Sequence, residues 1–509
     1  MSWESSVSVN AQGADYDLLV IGGGINGTGI ARDAAGRGLK VLLVERDDLA
    51  SHTSSSSTKL IHGGLRYLEM YEFRLVRESL AEREKLLDIA PHLISPMRFV
   101  MPLAKGMRPA WLIRLGLLMY DRIGGRSRLP RSHGVRLAGT KWGAGLKPIE
   151  RGFVYSDGWV DDARLVVLNA LDASERGATI RTRTAFLGAR RGPQSWTARF
   201  GDGTSVTARA IVNTAGPWVG QVLEDMPEAR AERPPRLVKG SHIVVPKMFD
   251  GVHAYILQND DKRIVFAIPY EHDFTLIGTT DKPFEGDPSN PTIDADETAY
   301  LCASVNRYFA KPITPADVVS SYSGVRPLFD DGADNASEVT RDYVLRLGTD
   351  QAPQLLSTFG GKITTYRRLA EHALEQLAPF LPAMRPAWTS GAPLPGGDLP
   401  GSFDQFLASV RSRWPFLPAA VAERMAHAYG TRIDRLLGTA STIADLGQSL
   451  GEGLFTAEVD YLTKEEWAGT ADDILLRRTK LGIHGGDRLA HQLEAYLAAS
   501  GHSSFPSRS

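Results

Sequence analysis

Residues 16–45 read YDLLVIGGGINGTGIARDAAGRGLKVLLVE. After Asp17 the first segment is apolar through Ile21, as in a parallel strand buried on both faces. Gly22-x-Gly24-x-x-Gly27 follows at once. Residues 28–37 are mostly small or helix-compatible, Gly38 supplies a stop, and Val41-Leu42-Leu43-Val44 makes a second strand ending at Glu45. This is the strand–turn–helix–strand unit of a dinucleotide domain in an open α/β sheet. The glycines permit a tight turn and bring backbone close to a pyrophosphate, whose oxygens the orphan N–H groups of the helix start can hold. Glu45 stands 21 residues beyond Gly24, where its carboxylate can accept from an adenosine ribose. Its charge opposes a 2′-phosphate and so disfavours NADP. The motif itself does not choose between FAD and NAD.

Working outward, residues 51–64 read SHTSSSSTKLIHGG. A hydroxyl run followed by a lysine and paired glycines suits a cofactor that extends from the first strand toward a reaction centre better than it suits a buried structural run. Residues 208–216 form another central strand entering a glycine turn, and residues 355–359 form a third before Gly360-Gly361. Between them, strand-rich segments at 241–246 and 263–269 predict an antiparallel layer inserted into the nucleotide fold. The stretch SGAPLPGGDLPG at 390–401 marks a linker, and the chain beyond it is helical in pattern. No long internal repeat is present.

Composition agrees. A chain of 509 residues is too long for one ordinary core, which predicts two or three domains. Lys+Arg 58 nearly cancels Asp+Glu 59, which argues against a nucleic-acid-binding polycation. The one cysteine, Cys302, excludes an intrachain disulfide framework and a cysteine-ligated iron–sulfur cluster. The first residues do not read as a secretory signal, and no run of 18 apolar residues suggests a spanning helix.

The stretches IGGGINGTGIARDAAGRGL, TSSSSTKLIHGGLRYLE, YSDGWVDDARL, NTAGPWV, KGSHIVVP, IGTTD, YSGVRPL, TRDY and FGGKITTYRRLAE occur in order between Ile21 and Glu371. LPGG at 394–397 and ADDILLRRTKLG at 471–482 extend the pattern. In this the chain resembles the FAD-dependent respiratory glycerol-3-phosphate dehydrogenases, among the glutathione-reductase-like and D-amino-acid-oxidase-like flavoproteins. The resemblance implies an FAD-binding domain built from residues 14–95, 151–225 and 331–389. It implies an antiparallel β-sheet cap from 96–150 and 226–330, a linker at 390–401 and a C-terminal helical domain at 402–509. It implies oxidation of sn-glycerol 3-phosphate to dihydroxyacetone phosphate, with electrons leaving for a membrane quinone. Carried over by position, Gly22, Gly24, Asn26, Gly27 and Glu45 are first-strand FAD contacts. Ser54, Ser55, Lys59, Leu60, His62 and Gly63 lie where the family approaches the isoalloxazine, and Gly360, Gly361, Lys362, Ile363 and Thr364 approach from the other side.

A phosphorylated alcohol needs its dianion held and its hydroxyl proton accepted. Arg66, Arg326 and Arg341 offer guanidinium forks for the phosphate. The family match places Arg66, Tyr67, His242, Arg326, Arg341 and Lys362 near the substrate. Tyr67 can donate a phenolic hydrogen bond, and Lys362 can stabilise developing alkoxide charge. His242 and His62 are the two proton acceptors to weigh, with His242 preferred, and a lysine-assisted transfer through Lys362 is the third route. No metal-ligand spacing occurs.

Residues 98–150 hold 11 Lys/Arg against 2 Asp/Glu. Within them AWLIRLGLLMY, residues 110–120, is apolar but interrupted by Arg114, and reads either as a helix packed on the cap or as a face resting on anionic lipid, with Trp111 or Tyr120 at the headgroups. The expectation is peripheral attachment on the cytoplasmic side of the inner or plasma membrane, with a homodimer as one assembly open to the chain. Two other functions remain to be weighed: an oxidase that passes electrons to oxygen, and a nucleotide-binding sensor without catalysis.

Overall fold

The computed structural model describes residues 14–104, 108–229, 233–261, 263–330, 342–348 and 352–501. Leu18, Leu19 and Val20 on the strand Tyr16–Ile21 are wholly buried, as a strand covered on both faces requires. It pairs in parallel with Val41–Val44 on one side and with Ser205–Asn213 on the other. Gln354–Phe359 and Thr179–Arg181 extend the parallel array outward, and Val344–Leu347 adds an antiparallel edge. The helix Ile25–Gly36 packs between the helices Asp162–Glu175 and Tyr366–Leu377. Its run of Gly and Ala lets the backbones approach closely. These strands and helices carry one continuous core, from Leu18 and Val20 to Leu369 and Leu374.

The second sheet has ten strands and is antiparallel except where Ala254–Gln258 meets Ile94–Pro102. Near one edge runs its long strand Arg236–Pro246, paired with Phe274–Gly278 and, over nine residues, with Ser320–Leu328. Arg151–Val160 pairs with Ile94–Pro102 along its whole length, so this sheet continues to Val160 rather than stopping at 150. Leu60–Ile61 also joins it, on the far edge of Arg151–Val160. The segment expected to serve the cofactor domain thus crosses into the cap sheet at that point.

The C-terminal part is helical, with Phe403–Arg413, Ala419–Tyr429, Thr456–Glu466 and Gly482–Ala499 around their own core, which includes Met425, Val459, Leu462, Ile474 and Leu493. A short hairpin and a π-helical turn, Asp473–Arg478, complete it. No helix among the described residues is long and apolar enough to cross a membrane.

Candidate active site

A cavity of about 560 Å³ is lined by residues from both sheets. At one end, Gly22 adopts φ +109°, and a Cβ on Gly27 would sit 1.9 Å from the Gly22 carbonyl oxygen. Only glycine lets the strand end and the helix start meet this closely. The helix Ile25–Gly36 has no side-chain cap from Gly24; instead the Ile25 N–H donates to Ser54 Oγ at 3.0 Å. The Glu45 carboxylate accepts from the Gly23 N–H at 2.6 Å and the Asp47 N–H at 2.9 Å, while burial pushes its carboxyl pKa up. Beside it the Arg46 guanidinium lies 4.0 Å over the Trp218 ring, and His52, bonded to Asp47 at 2.8 Å, meets the same indole edge-on.

In the middle, Asn26 Nδ2 donates to the Gly360 carbonyl at 3.2 Å, which ties the first glycine turn to the last. Asn26 Oδ1 is buried without a partner among the described residues, a polar atom that calls for a donor. A helix start whose N-cap residue offers no side chain, a close glycine cradle, a carboxylate at the second strand end and this unpaired acceptor all fit FAD.

At the other end, His242 is 2% exposed and its Nε2 lies 2.9 Å from Thr58 Oγ1. The ring stacks on Tyr322 at 4.8 Å, and its Nδ1 has no partner among the described residues. Burial, with Lys59 and Arg326 nearby, lowers its pKa to about 3, so the imidazole is neutral. His62 is lowered to about 4, by burial and then by Lys362. The Lys362 ammonium stands 3.7 Å from the Tyr67 ring centroid. Arg326 reaches Asp281 at 2.9 Å, with both side chains about one-third exposed.

Of the residues singled out by sequence, Gly22, Gly24, Asn26, Glu45, Ser54, Leu60 and His62 line this cavity, as do Tyr67, His242, Arg326, Gly360, Gly361, Lys362 and Ile363. The others among the described residues do not line it. Gly27 serves the turn by contact with Gly22. Ser55 closes its own short turn through the His52 carbonyl. Lys59 is turned away: its ammonium is buried against Asp162 at 2.8 Å and the Ser55 carbonyl at 3.0 Å, since a carboxylate at a helix start is a better partner than a cavity. The Gly63 N–H donates to Tyr120 Oη, and Thr364 Oγ1 bonds the His62 backbone, which joins two segments 302 residues apart. Arg66 is half-buried beside Tyr67 but does not line the cavity. Arg341 lies outside the described residues. Arg46, Thr58, Trp218, Asp281 and Tyr322 were not singled out from sequence. Trp218, Asp281 and Tyr322 sit inside the motifs NTAGPWV, IGTTD and YSGVRPL, and that membership was the available signal.

Comparison with known proteins decides the family. Residues 17–367 match the FAD dependent oxidoreductase family, and residues 387–500 match the C-terminal domain of alpha-glycerophosphate oxidase. A glycerol-3-phosphate dehydrogenase of Pseudomonas aeruginosa is 55% identical over 488 residues, covering 95% of each chain. This chain belongs to the FAD-dependent glycerol-3-phosphate dehydrogenase family. The family also contains a D-erythritol 1-phosphate dehydrogenase of Brucella abortus, 51% identical over 475 residues, or 92% of this chain and 95% of that one. The glycerol-3-phosphate dehydrogenase of Bacillus halodurans complexed with FAD superposes with a TM-score of 0.74 at 27% identity, over 97% of this chain and 92% of that one. The fold is therefore the D-amino-acid-oxidase-like FAD fold with an inserted cap and a C-terminal helical domain, and the cofactor is FAD.

Proposed function

We propose that the chain oxidises sn-glycerol 3-phosphate to dihydroxyacetone phosphate and that the electrons end on a membrane quinone. The observation that carries this is a neutral, buried imidazole and a guanidinium at one end of a cavity whose other end is a dinucleotide cradle. Bound FAD supplies the hydride acceptor. The Arg326 guanidinium, on the cavity wall, clamps the phosphate dianion. His242 takes the hydroxyl proton through Nδ1, with its ring held by Thr58 at Nε2 and by Tyr322 below. Lys362, seated on Tyr67, offsets negative charge as the alkoxide develops. His62 lies at the same end with Lys362 and contributes a neutral donor or acceptor.

Two observations favour neighbouring activities. The Brucella relative is named for D-erythritol 1-phosphate, which shares the phosphate and the secondary alcohol but is one CHOH longer. The C-terminal match is to a domain of an oxidase. Anaerobic turnover with glycerol 3-phosphate and a soluble quinone should give dihydroxyacetone phosphate and quinol one for one. Faster turnover of D-erythritol 1-phosphate would move the substrate. Turnover that requires oxygen and yields peroxide would move the acceptor.

The membrane contact follows the helix Ala110–Ile123. Trp111, Leu112, Leu115 and Met119 are exposed on it, and Phe73 is exposed at the start of the helix Phe73–Ile89 that packs against it, with Tyr71 exposed just before. Tyr120 is buried against Asp157, which leaves Trp111 as the headgroup residue of the two, and Arg114 is turned back to Ser132. The apolar face rests on the lipid and the surrounding basic residues meet its phosphates. This surface belongs on the cytoplasmic leaflet. A dimer is open to the chain, and no nucleic acid is a partner.

A further inference from the structure

The motif ADDILLRRTKLG lies in the C-terminal domain, far in sequence from every residue that lines the cavity. Its side chains nevertheless end behind the cavity wall. Arg478 is wholly buried and grips Asp48 with both arms, Nη1 to one oxygen and Nη2 to the other, each at 2.8 Å. The same Nη2 donates to the Glu466 carbonyl at 2.8 Å, which anchors the guanidinium in its own domain. Arg477 adds a third bond to Asp48, Nε to Oδ2 at 2.7 Å. Asp48 sits in the loop that starts at Glu45 and continues into the cavity-lining residues Ala50, Ser51 and His52. The Ala50 N–H bonds the Gly23 carbonyl at 3.1 Å, so this loop packs directly on the pyrophosphate turn.

Lys480 reaches a second point. Its ammonium pairs with Asp161, which caps the helix Asp162–Glu175. The next residue, Asp162, accepts from Lys59 and from the Ser57 backbone and hydroxyl. Ser57 and Thr58 line the cavity, and Thr58 bonds His242. Arg477 and Arg478 thus hold the first half of the 45–59 segment directly, and Lys480 holds the helix start at Asp161–Asp162 that bonds its second half, while no described residue of the C-terminal domain lines the cavity.

We propose that Arg477, Arg478 and Lys480 form a latch through which the C-terminal domain holds the cofactor-binding segment in its FAD-accepting shape. They are positioning residues: they touch neither cofactor nor substrate. A bidentate guanidinium–carboxylate pair suits this task because it fixes orientation as well as distance. The inference rests on the FAD site and not on the identity of the substrate.

The test compares two interdomain ion pairs in the full-length protein. Arg432 pairs with Glu175 at 2.6 Å, also across the domains, but at the far end of its helix from the cavity. Arg478→Gln and Arg432→Gln are each stripped of FAD, and then FAD affinity is titrated by the loss of free-flavin fluorescence and the apoprotein melting point is recorded. Arg478→Gln should weaken FAD about tenfold or more, and Lys480→Gln less but with the same sign. Arg432→Gln should lower the melting point with FAD affinity unchanged. If Arg478→Gln does not fold, Arg477→Gln keeps the Arg478 pair and should still weaken FAD severalfold. FAD affinity unchanged in the latch variants, or reduced equally in Arg432→Gln, would overturn the proposal.

Discussion

Arg326 shows how a single residue takes its role from where the chain puts it. As a letter in YSGVRPL it is one cation among 58. In the fold it stands on the strand Ser320–Leu328, whose partner Arg236–Pro246 carries His242, so the proposed phosphate site and the proposed proton acceptor share two adjacent strands. Its bond to Asp281 sets the guanidinium in place on the cavity wall, and a guanidinium fork matches the oxygens of a phosphate. Arg326→Ala should raise KM for glycerol 3-phosphate about tenfold to a hundredfold, with FAD still bound. Steady-state kinetics on the FAD-replete variant read this directly, and an unchanged KM would remove Arg326 from the clamp. The candidate residues were legible because they sit in ordered motifs. Their pairings were not. Thr58 and His242 are 184 residues apart, and Lys59 and Asp162 are 103 apart. Whether a lysine faces the cavity or a buried carboxylate depends on such distant partners, so Lys59 appeared as a cofactor contact and is instead a strut behind one.

At the scale of elements, local pattern and outcome agree best where one stretch contains its own physics. The first strand, the glycine turn and Glu45 are contiguous, and they fold as the unit their spacing predicts. Arg151–Val160 is different. The family pattern assigns it to the cofactor domain, yet it joins the cap because Ile94–Pro102 offers a full-length antiparallel partner. The helix Ala110–Ile123 is a third case. Its apolar residues divide between an inner face, with Ile113, Leu117 and Tyr120, and an outer face, with Trp111, Leu112, Leu115 and Met119. The inner face reaches the site itself, since Tyr120 Oη accepts from the Gly63 N–H next to His62. On the lipid hypothesis, replacing Trp111 and Leu115 together by serine should reduce sedimentation with phosphatidylglycerol liposomes. Arg114→Gln should not, because that guanidinium is engaged by Ser132. Equal liposome binding by the double variant and the parent would place the membrane face elsewhere.

For the whole molecule, buried charge is spent on joining parts. Arg164 and Glu466 pair with no exposure between the cofactor domain and the helical domain, near the Arg478–Asp48 contact. Buried histidines set the response to acid. His62 and His253 are lowered to about 4, and His92 and His242 to about 3, each chiefly by burial. Their unfolded pKa is near 6.5, so between that value and the folded ones the unfolded chain binds more protons, and stability present above pH ~6.5 is lost as pH falls toward ~4. Asp157, raised to about 6 by burial, acts in the opposite sense over part of this range, as do the raised carboxyls of Glu45 and Asp33. The four imidazoles should prevail, and the melting point should fall from pH 7 to pH 5. A melting point that holds or rises over that interval would mean that the carboxyls dominate.

The central claim is that glycerol 3-phosphate itself reduces the bound flavin, and anaerobic stopped-flow absorbance of the FAD-replete protein tests it most directly. Mixing with glycerol 3-phosphate should bleach the oxidised flavin band rapidly, while unphosphorylated glycerol should leave it almost untouched, because glycerol gives the Arg326 end of the cavity no anion to hold. Absence of bleaching by glycerol 3-phosphate in folded, FAD-replete protein would contradict the account.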